Sequence, residues 1–361
     1  MNLAELRDAF DERDWQRTEP DPDDPLRFAM IGLGWWTTEE MIPAVAAEPG
    51  IETTVLVSST AEKAERVANE THTDAVGIDY DAFHDGEAAA EYDAVYVCTP
   101  NALHLPYVET AAELDKAVLC EKPLESTVER AEQLVDAAAD IPIMTAYRMH
   151  TDPAIRIAKR LFEAGEIGAP VAVQGHMTQD VLDIAGADSW RLDPSLAGPG
   201  ASVTDLGIYP INTARYVLGR DPVAAHASMY SEHEAFGDVP DEAASFLMEY
   251  EGGVTGSYTA SQHAQLSGSL RLIGTTGELR LEPAFFNDDR ATLHRRTGTS
   301  GVTDTSIEFE TVDQMQVEAA YFADCLRDDR SIEADAEHGL LDMRAIEAVY
   351  EAAERGERVE L

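Results

Sequence analysis

Arg27-Phe28-Ala29-Met30-Ile31, running straight into Gly32-Leu33-Gly34-Trp35-Trp36-Thr37, is the stretch of this 361-residue chain whose reading decides the fold. A short apolar run with strand character feeds a glycine-rich turn, and a segment with helical character (residues 37–48) follows. Glycine at the first two turn positions lets the backbone bend tightly and lets a pyrophosphate reach the N-terminus of the next helix. The third position normally takes Gly or Ala for close helix–strand packing, and here it is Thr37. GxGxxT alone is a weak signal. With the strand before it and the helix after it, dinucleotide binding is expected, with Gly32, Gly34, Trp35 and Trp36 against the cofactor. A tight structural turn in an unrelated α/β fold is the competing reading.

The rhythm continues outward. Residues 53–57, 93–98, 116–120 and 141–147 are short apolar runs, separated by amphipathic segments at 61–70, 101–114 and 126–140. Strands alternating with helices imply βαβ units and a doubly wound parallel sheet over residues 27–150. Residues 1–26 read as an N-terminal arm and linker: Leu3, Leu6 and Phe10 have helical spacing, and the Pro- and Asp-rich run 18–25 breaks it. From 151 to 361 the pattern changes to a helix near 153–164, then strand-like runs at 170–177, 222–230, 244–260 and 267–282. One long helix, roughly 205–218, interrupts them, and helices near 313–327 and 337–355 close the chain. Hairpin turns are expected at 250–254 and 273–278. The second domain is therefore expected to be α+β, with an open, mainly antiparallel sheet.

Charge narrows the function classes. The chain carries 69 Asp plus Glu against 26 Lys plus Arg, a formal net charge of −43, and only four of the basic residues are lysines. Such a surface repels nucleic acid and anionic membranes, so neither is expected as a partner. The carboxylates are spread over amphipathic segments instead of gathered in blocks, which marks a folded protein with an acidic coat. At molar salt, where the Debye length is about 3 Å, the self-repulsion of that coat is screened, and a halophilic protein is expected. Three cysteines without ligand spacing predict buried thiols and no metal. Neither a membrane span nor a signal-peptide pattern is visible, so a cytoplasmic location is expected.

The chemistry-bearing residues fall at predicted strand ends. After the second strand come Ser58, Ser59 and Thr60, with Lys63 following. No carboxylate stands where one would bind a ribose 2′-hydroxyl, and two serines with a lysine suit a 2′-phosphate, so NADP is expected over NAD. Lys63 paired with Glu62 or Glu65 is the bland alternative. Thr99, Pro100, Asn101 and His104 follow the next strand, where a cofactor would lie, although Asn101 also suits a helix cap and His104 a helix. Glu121 and Lys122, before Pro123, end another strand. Lys122 there can polarise a hydroxyl or lower the pKa of a neighbouring base, unless it is a plain surface lysine.

Together, GLGWW, CTPNALH and CEKP resemble the Gfo/Idh/MocA oxidoreductase family, over about residues 27–355. Tyr147-Arg148-Met149-His150, Trp190-Arg191-Leu192-Asp193 and Val203 to Tyr209 extend the resemblance, most closely to the sugar-oxidising branch. The resemblance implies a Rossmann domain followed by an open antiparallel sheet, and an NADP-dependent sugar dehydrogenase. It implies Lys122, Asp205 and Tyr209 around the reacting carbon, with Arg148, Trp190 and Arg191 reaching the cofactor. Asp205 and Tyr209 are four apart, hence on one helix face. Tyrosine has a pKa of ~10, so it needs a cation such as Lys122 to act as base. Helix capping by Asp205 and core packing of Tyr209 are the alternatives. The implied reaction oxidises the C1 hydroxyl of a cyclic aldose, D-xylose foremost, to the aldono-lactone. Oxidation of glucose, another aldose or a dihydrodiol, a glucose–fructose type activity and a non-catalytic dinucleotide sensor are the rivals. A homodimer or homotetramer through the second-domain sheet is expected, with the acidic coat thinning there.

Overall fold

The protein is described by a computed structural model for residues 3–10, 12–286 and 290–361. Among the described residues, β1 (Leu26–Ile31), β2 (Ile51–Ser58), β3 (Val76–Asp79), β4 (Ala94–Val97), β5 (Ala117–Glu121) and β6 (Ile143–Ala146) form one sheet. Their order is β3-β2-β1-β4-β5-β6, and every pairing is parallel. Parallel sheets are covered on both faces, which is why these strands carry apolar runs; β4 and β6 are buried at every position. Connecting helices lay their apolar stripe on the sheet and leave carboxylates outside. Ala61–Glu70 buries Ala64, Val67 and Ala68, and Val128–Ala137 buries Ala131 and Leu134. Thr60 and Thr127 cap these helices through their side-chain oxygens.

The second sheet is built from β7 (Pro170–Asp180), β8 (Pro222–Tyr230), β9 (Ala243–Tyr250), β10 (Val254–Ser261), β11 (His263–Gly274), β12 (Gly277–Glu282), β13 (Arg290–Thr297), β14 (Thr303–Glu310) and β15 (Val359–Glu360). Its order is β14-β13-β12-β11-β7-β10-β9-β8-β15. Only β7 and β10 pair parallel; the rest are antiparallel. The β9–β10 turn uses Gly252 and Gly253 at φ 74 and 81, backbone that glycine adopts without strain. One face of the sheet is packed and the other open, so β9 alternates: Ala244, Phe246, Met248 and Tyr250 are buried, Ser245 and Leu247 exposed. Helix Ile208–Leu218 packs on β7, where a Cβ at Gly175 would stand 2.9 Å from Pro210. That helix is buried along its whole length, and Gly219 at φ 60 ends it.

The chain divides into two compact units that do not follow sequence order. Residues 15–148 and 313–340 carry the parallel sheet, and the described part of 1–14 with 149–312 and 341–361 carries the other. This corrects two boundaries. Helix Gln314–Arg327, assigned from sequence to the second domain, belongs with the parallel sheet, where Phe322 meets Phe28 with ring centroids 6.1 Å apart. The arm splits at Asp14/Trp15. Its Thr18 donates from backbone and hydroxyl to the Asp324 carboxylate at 2.7 and 2.6 Å, and Arg330 adds a bond at 2.7 Å. No described helix is long and apolar enough to cross a membrane.

Candidate functional site

In the parallel-sheet unit the strand order reverses between β1 and β4, and ligands of such sheets bind at that switch point, outside the strands' carboxyl ends. The glycine turn sits there. Gly32 N donates to Val57 O at 3.1 Å and Cys98 N to Ile31 O at 2.9 Å, tying the turn to β2 and to the residue after β4. Gly32 has φ +88, and a Cβ on it would stand 2.2 Å from the Cys98 carbonyl oxygen. Only glycine fits. A Cβ on Gly34 would meet nothing within 4 Å, so space stays open above the turn. Thr37 is fully buried and donates to Gly32 O at 2.7 Å. The unusual third residue therefore clasps the turn to the helix, which begins as a π-turn at Trp36–Met41.

Around this turn the expected residues divide. Ser58 is fully buried and Thr99 nearly so, and neither hydroxyl oxygen has a hydrogen-bond partner among the described residues. Such orphaned groups at strand ends fit a ligand rich in hydroxyl and phosphate oxygens. Ser59 is exposed, and Lys63 lies in the first turn of the following helix with its N–H on Thr60 Oγ1 at 3.2 Å. Lys63 makes no ion pair among the described residues, so pairing with Glu62 or Glu65 is not its role here. Trp35 is 64% exposed. Trp36 is half-buried beneath the Arg148 guanidinium, 5.6 Å from its ring, and Arg148 also donates to Gln314.

Asn101 is buried within a short 3-10 turn and does not cap the next helix through its side chain. Pro100 precedes it, half-buried. His104 is fully buried, with Nδ1 3.1 Å from Leu124 O and Nε2 3.0 Å from Thr99 O. In the neutral ring one of these nitrogens donates to its carbonyl, and the ring sits between two strand ends.

Glu121 accepts from Tyr96 Oη at 2.7 Å on one oxygen and from the Lys122 backbone N–H at 3.2 Å on the other. It fixes the backbone from which Lys122, half-buried, projects. Burial drives the Tyr96 phenol well above its ordinary range. Glu318 lies fully buried in the same unit with no partner for either oxygen among the described residues. Burial first, then Glu121, push its carboxyl well above the usual range.

In the other unit, Asp205 lies in a π-turn, Val203–Gly207, that runs into helix Ile208–Leu218. Asp241, fully buried, sets this turn by accepting from Ala201 N at 2.7 Å and Val203 N at 2.8 Å. Asp205 does not cap the helix. Its Oδ2 accepts from Arg191 Nε at 3.0 Å and from Gln262 Nε2 at 2.8 Å. Arg191, expected toward the cofactor, thus has an acceptor in its own unit, and its guanidinium lies 4.8 Å over the Trp190 ring. Tyr209 is 7% exposed, its ring 6.1 Å from Phe285. The helix beneath it is locked by the buried Asp342 carboxylate, which accepts from Asn212 at 2.7 Å and Arg215 at 2.6 Å. Sequence reasoning missed Gln262 and Asp241: each is a polar residue beside a strand end, inside no motif.

Residues 26–145 match the family described as "Oxidoreductase family, NAD-binding Rossmann fold", and residues 155–280 match "GFO/IDH/MocA C-terminal domain". The chain belongs to the Gfo/Idh/MocA oxidoreductase family. It is 52% identical over 365 residues to the D-xylose 1-dehydrogenase [NADP(+)] of Haloarcula marismortui, covering 100% of both chains. It is 32% identical to D-xylose 1-dehydrogenase (NADP(+)) 2 of Haloferax volcanii, over 93% of this chain and 100% of that one. Among solved structures, the aldose-aldose oxidoreductase from Caulobacter crescentus superposes with a TM-score of 0.84 at 29% identity, over 93% of this chain and 100% of the other. Both family segments contain the features above, the glycine turn and strand ends in the first, the Asp205 turn in the second.

The two glycines separate fold from ligand. Gly34→Ala should leave the melting temperature close to wild type, because its Cβ meets nothing, yet weaken dinucleotide binding at least about tenfold by filling the approach to the pyrophosphate. Gly32→Ala should lower both, measured by thermal unfolding and by fluorescence titration with NADPH.

Proposed function

We propose that the protein is an NADP-dependent sugar dehydrogenase that oxidises the C1 hydroxyl of cyclic D-xylose to the lactone. What carries this reading is full-length 52% identity to a haloarchaeal D-xylose 1-dehydrogenase, with the glycine turn, Glu121-Lys122 and the Asp205 turn all present. NADP fits the residues at β2: the orphaned Ser58 hydroxyl, Ser59 and the unpaired Lys63 would hold a 2′-phosphate, and no carboxylate opposes it. Gly32, Gly34, Trp35 and Trp36 would take the pyrophosphate end, and Thr99, Pro100, Asn101, Glu121 and Arg148 the ribose and nicotinamide end. Trp190 and Arg191 are assigned to that end as well. When bound, NADP⁺ supplies the hydride acceptor.

The remaining chemistry is proton handling and orientation. To Tyr209 we assign acceptance of the C1-hydroxyl proton at its phenolic oxygen, and to the Lys122 ammonium the electrostatic assistance of that step. Asp205 accepts a hydrogen bond from a ring hydroxyl and fixes which carbon presents its hydrogen. Loss of hydride from C1 and of the proton from its hydroxyl forms the C1 carbonyl of the aldono-lactone. Among the described residues no cysteine is in a disulfide, as suits a cytoplasmic enzyme, and the acidic coat suits molar salt.

A second copy of the chain is the expected partner. On the open face of the second sheet, His226, Ser228, Ser245, Leu247, Ser257 and Thr259 surround a shallow depression whose lining contains no carboxylate. In a chain with 69 of them, an acid-free depression with Leu247 at 53% exposure is where two copies can meet with little repulsion.

Lys122→Met should reduce turnover of D-xylose with NADP⁺ by about 10²–10⁴-fold while the NADPH dissociation constant stays within a few-fold. Turnover at the wild-type rate would remove Lys122 from the mechanism. Leu247→Glu should convert the native oligomer to monomer in light scattering at molar KCl, and an unchanged mass would move the interface elsewhere.

A further inference from the structure

Gln262 stands between β10 and β11, fully buried, and every polar atom of its side chain is engaged. Nε2 donates to Asp205 Oδ2 at 2.8 Å, and Oε1 accepts from Gln179 Nε2 at 3.0 Å. A carboxylate only accepts hydrogen bonds, so the amide nitrogen must face Asp205; the flipped amide would set oxygen against oxygen. The backbone N–H of Gln262 is bound too, to Ser202 Oγ at 2.9 Å and to Glu242 O at 3.2 Å. Ser202 opens the turn that carries Asp205, so Gln262 grips that turn by main chain and by side chain.

Two donors converge on Asp205 Oδ2, and burial separates them. The Arg191 side chain is 33% exposed, where water competes for its bond. Gln262 is inaccessible to solvent, and a hydrogen bond to a charged group in such surroundings is the stronger constraint. We infer that Gln262 is a positioning residue for the dehydrogenase reaction: its amide holds the Asp205 carboxylate in the orientation that meets a sugar hydroxyl. This rests on the reading that Asp205 orients the sugar. It assigns no contact with sugar or cofactor to Gln262 itself.

The test is steady-state kinetics with D-xylose and NADP⁺ at molar KCl on the wild type, Gln262→Ala, Gln262→Glu, Asp205→Asn and the Gln262→Ala/Asp205→Asn double variant, with NADPH affinity measured in parallel. Gln262→Ala should raise the KM for D-xylose about tenfold or more, the effect of one hydrogen bond to a charged group, with NADPH affinity within about twofold of wild type. Added to Asp205→Asn it should change KM little, because the carboxylate it holds is gone.

Gln262→Glu keeps the shape and guards against a folding defect in the alanine variant. The introduced carboxyl donates only while protonated, and the facing carboxylate raises its pKa above the ordinary ~4.3. Its KM should therefore climb as pH rises through that value, a step the wild type lacks. A merely structural role gives no such step. If Asp205→Asn is impaired while both Gln262 variants keep the wild-type KM at every pH, the inference is overturned and the role of Asp205 stands. If Asp205→Asn itself keeps wild-type KM and kcat, the sugar-orienting role of Asp205 falls, and this inference with it.

Discussion

With no side chain at Gly32, the turn after β1 lies against the Cys98 carbonyl, closer than any Cβ would permit. That contact brings the turn against the end of β4 at the one place in the sheet where strand order reverses. It leaves the space above Gly34 open and sets the N-terminal π-turn of the next helix beside it. Thr37, in a position where a smaller residue is usual, turns its extra size to use by donating to the Gly32 carbonyl. The tight turn and the open cradle are consequences of one steric fact.

The second unit solves a related problem with charge. A chain with 69 carboxylates spends nearly all of them on the surface, yet a few are buried and fully committed. Asp241 holds the backbone that precedes Asp205, and Asp342 locks the helix that carries Tyr209. Buried carboxyl groups persist only when hydrogen bonds replace their hydration, and here those bonds shape the segment that carries Asp205 and Tyr209. The candidate residues of both units follow or occupy π-turns, Trp36–Met41 and Val203–Gly207, local windings that recur at functional sites.

Five strands of the parallel sheet were legible because they carry continuous apolar runs between amphipathic helices; β3, Val76-Gly77-Ile78-Asp79 with only Ile78 buried, displays no such run. Hairpins at Gly252-Gly253 and at Thr275-Thr276 were legible because turns have chemistry of their own. What sequence could not show was contact between distant segments. The return of Gln314–Arg327 to the first unit depends on Phe322 meeting Phe28, and the anchoring of the arm depends on Asp324 accepting from Thr18. His104 was expected beside the cofactor from its position along the chain, while its burial between two carbonyls is a fact of three dimensions. For Asp205 helix capping was the alternative that sequence left open, and two of its partners, Arg191 and Gln262, lie 14 and 57 residues away.

The central claim is that this arrangement oxidises a free sugar with NADP⁺, and initial rates of nicotinamide reduction test it most directly. Purified protein in molar KCl, given D-xylose, should reduce NADP⁺ and release a lactone. Its kcat/KM with NADP⁺ should exceed that with NAD⁺ by about tenfold or more, since charge-assisted bonds to a 2′-phosphate separate the two. Absence of reduction with D-xylose and with every other aldose, or a preference for NAD⁺, would contradict the account.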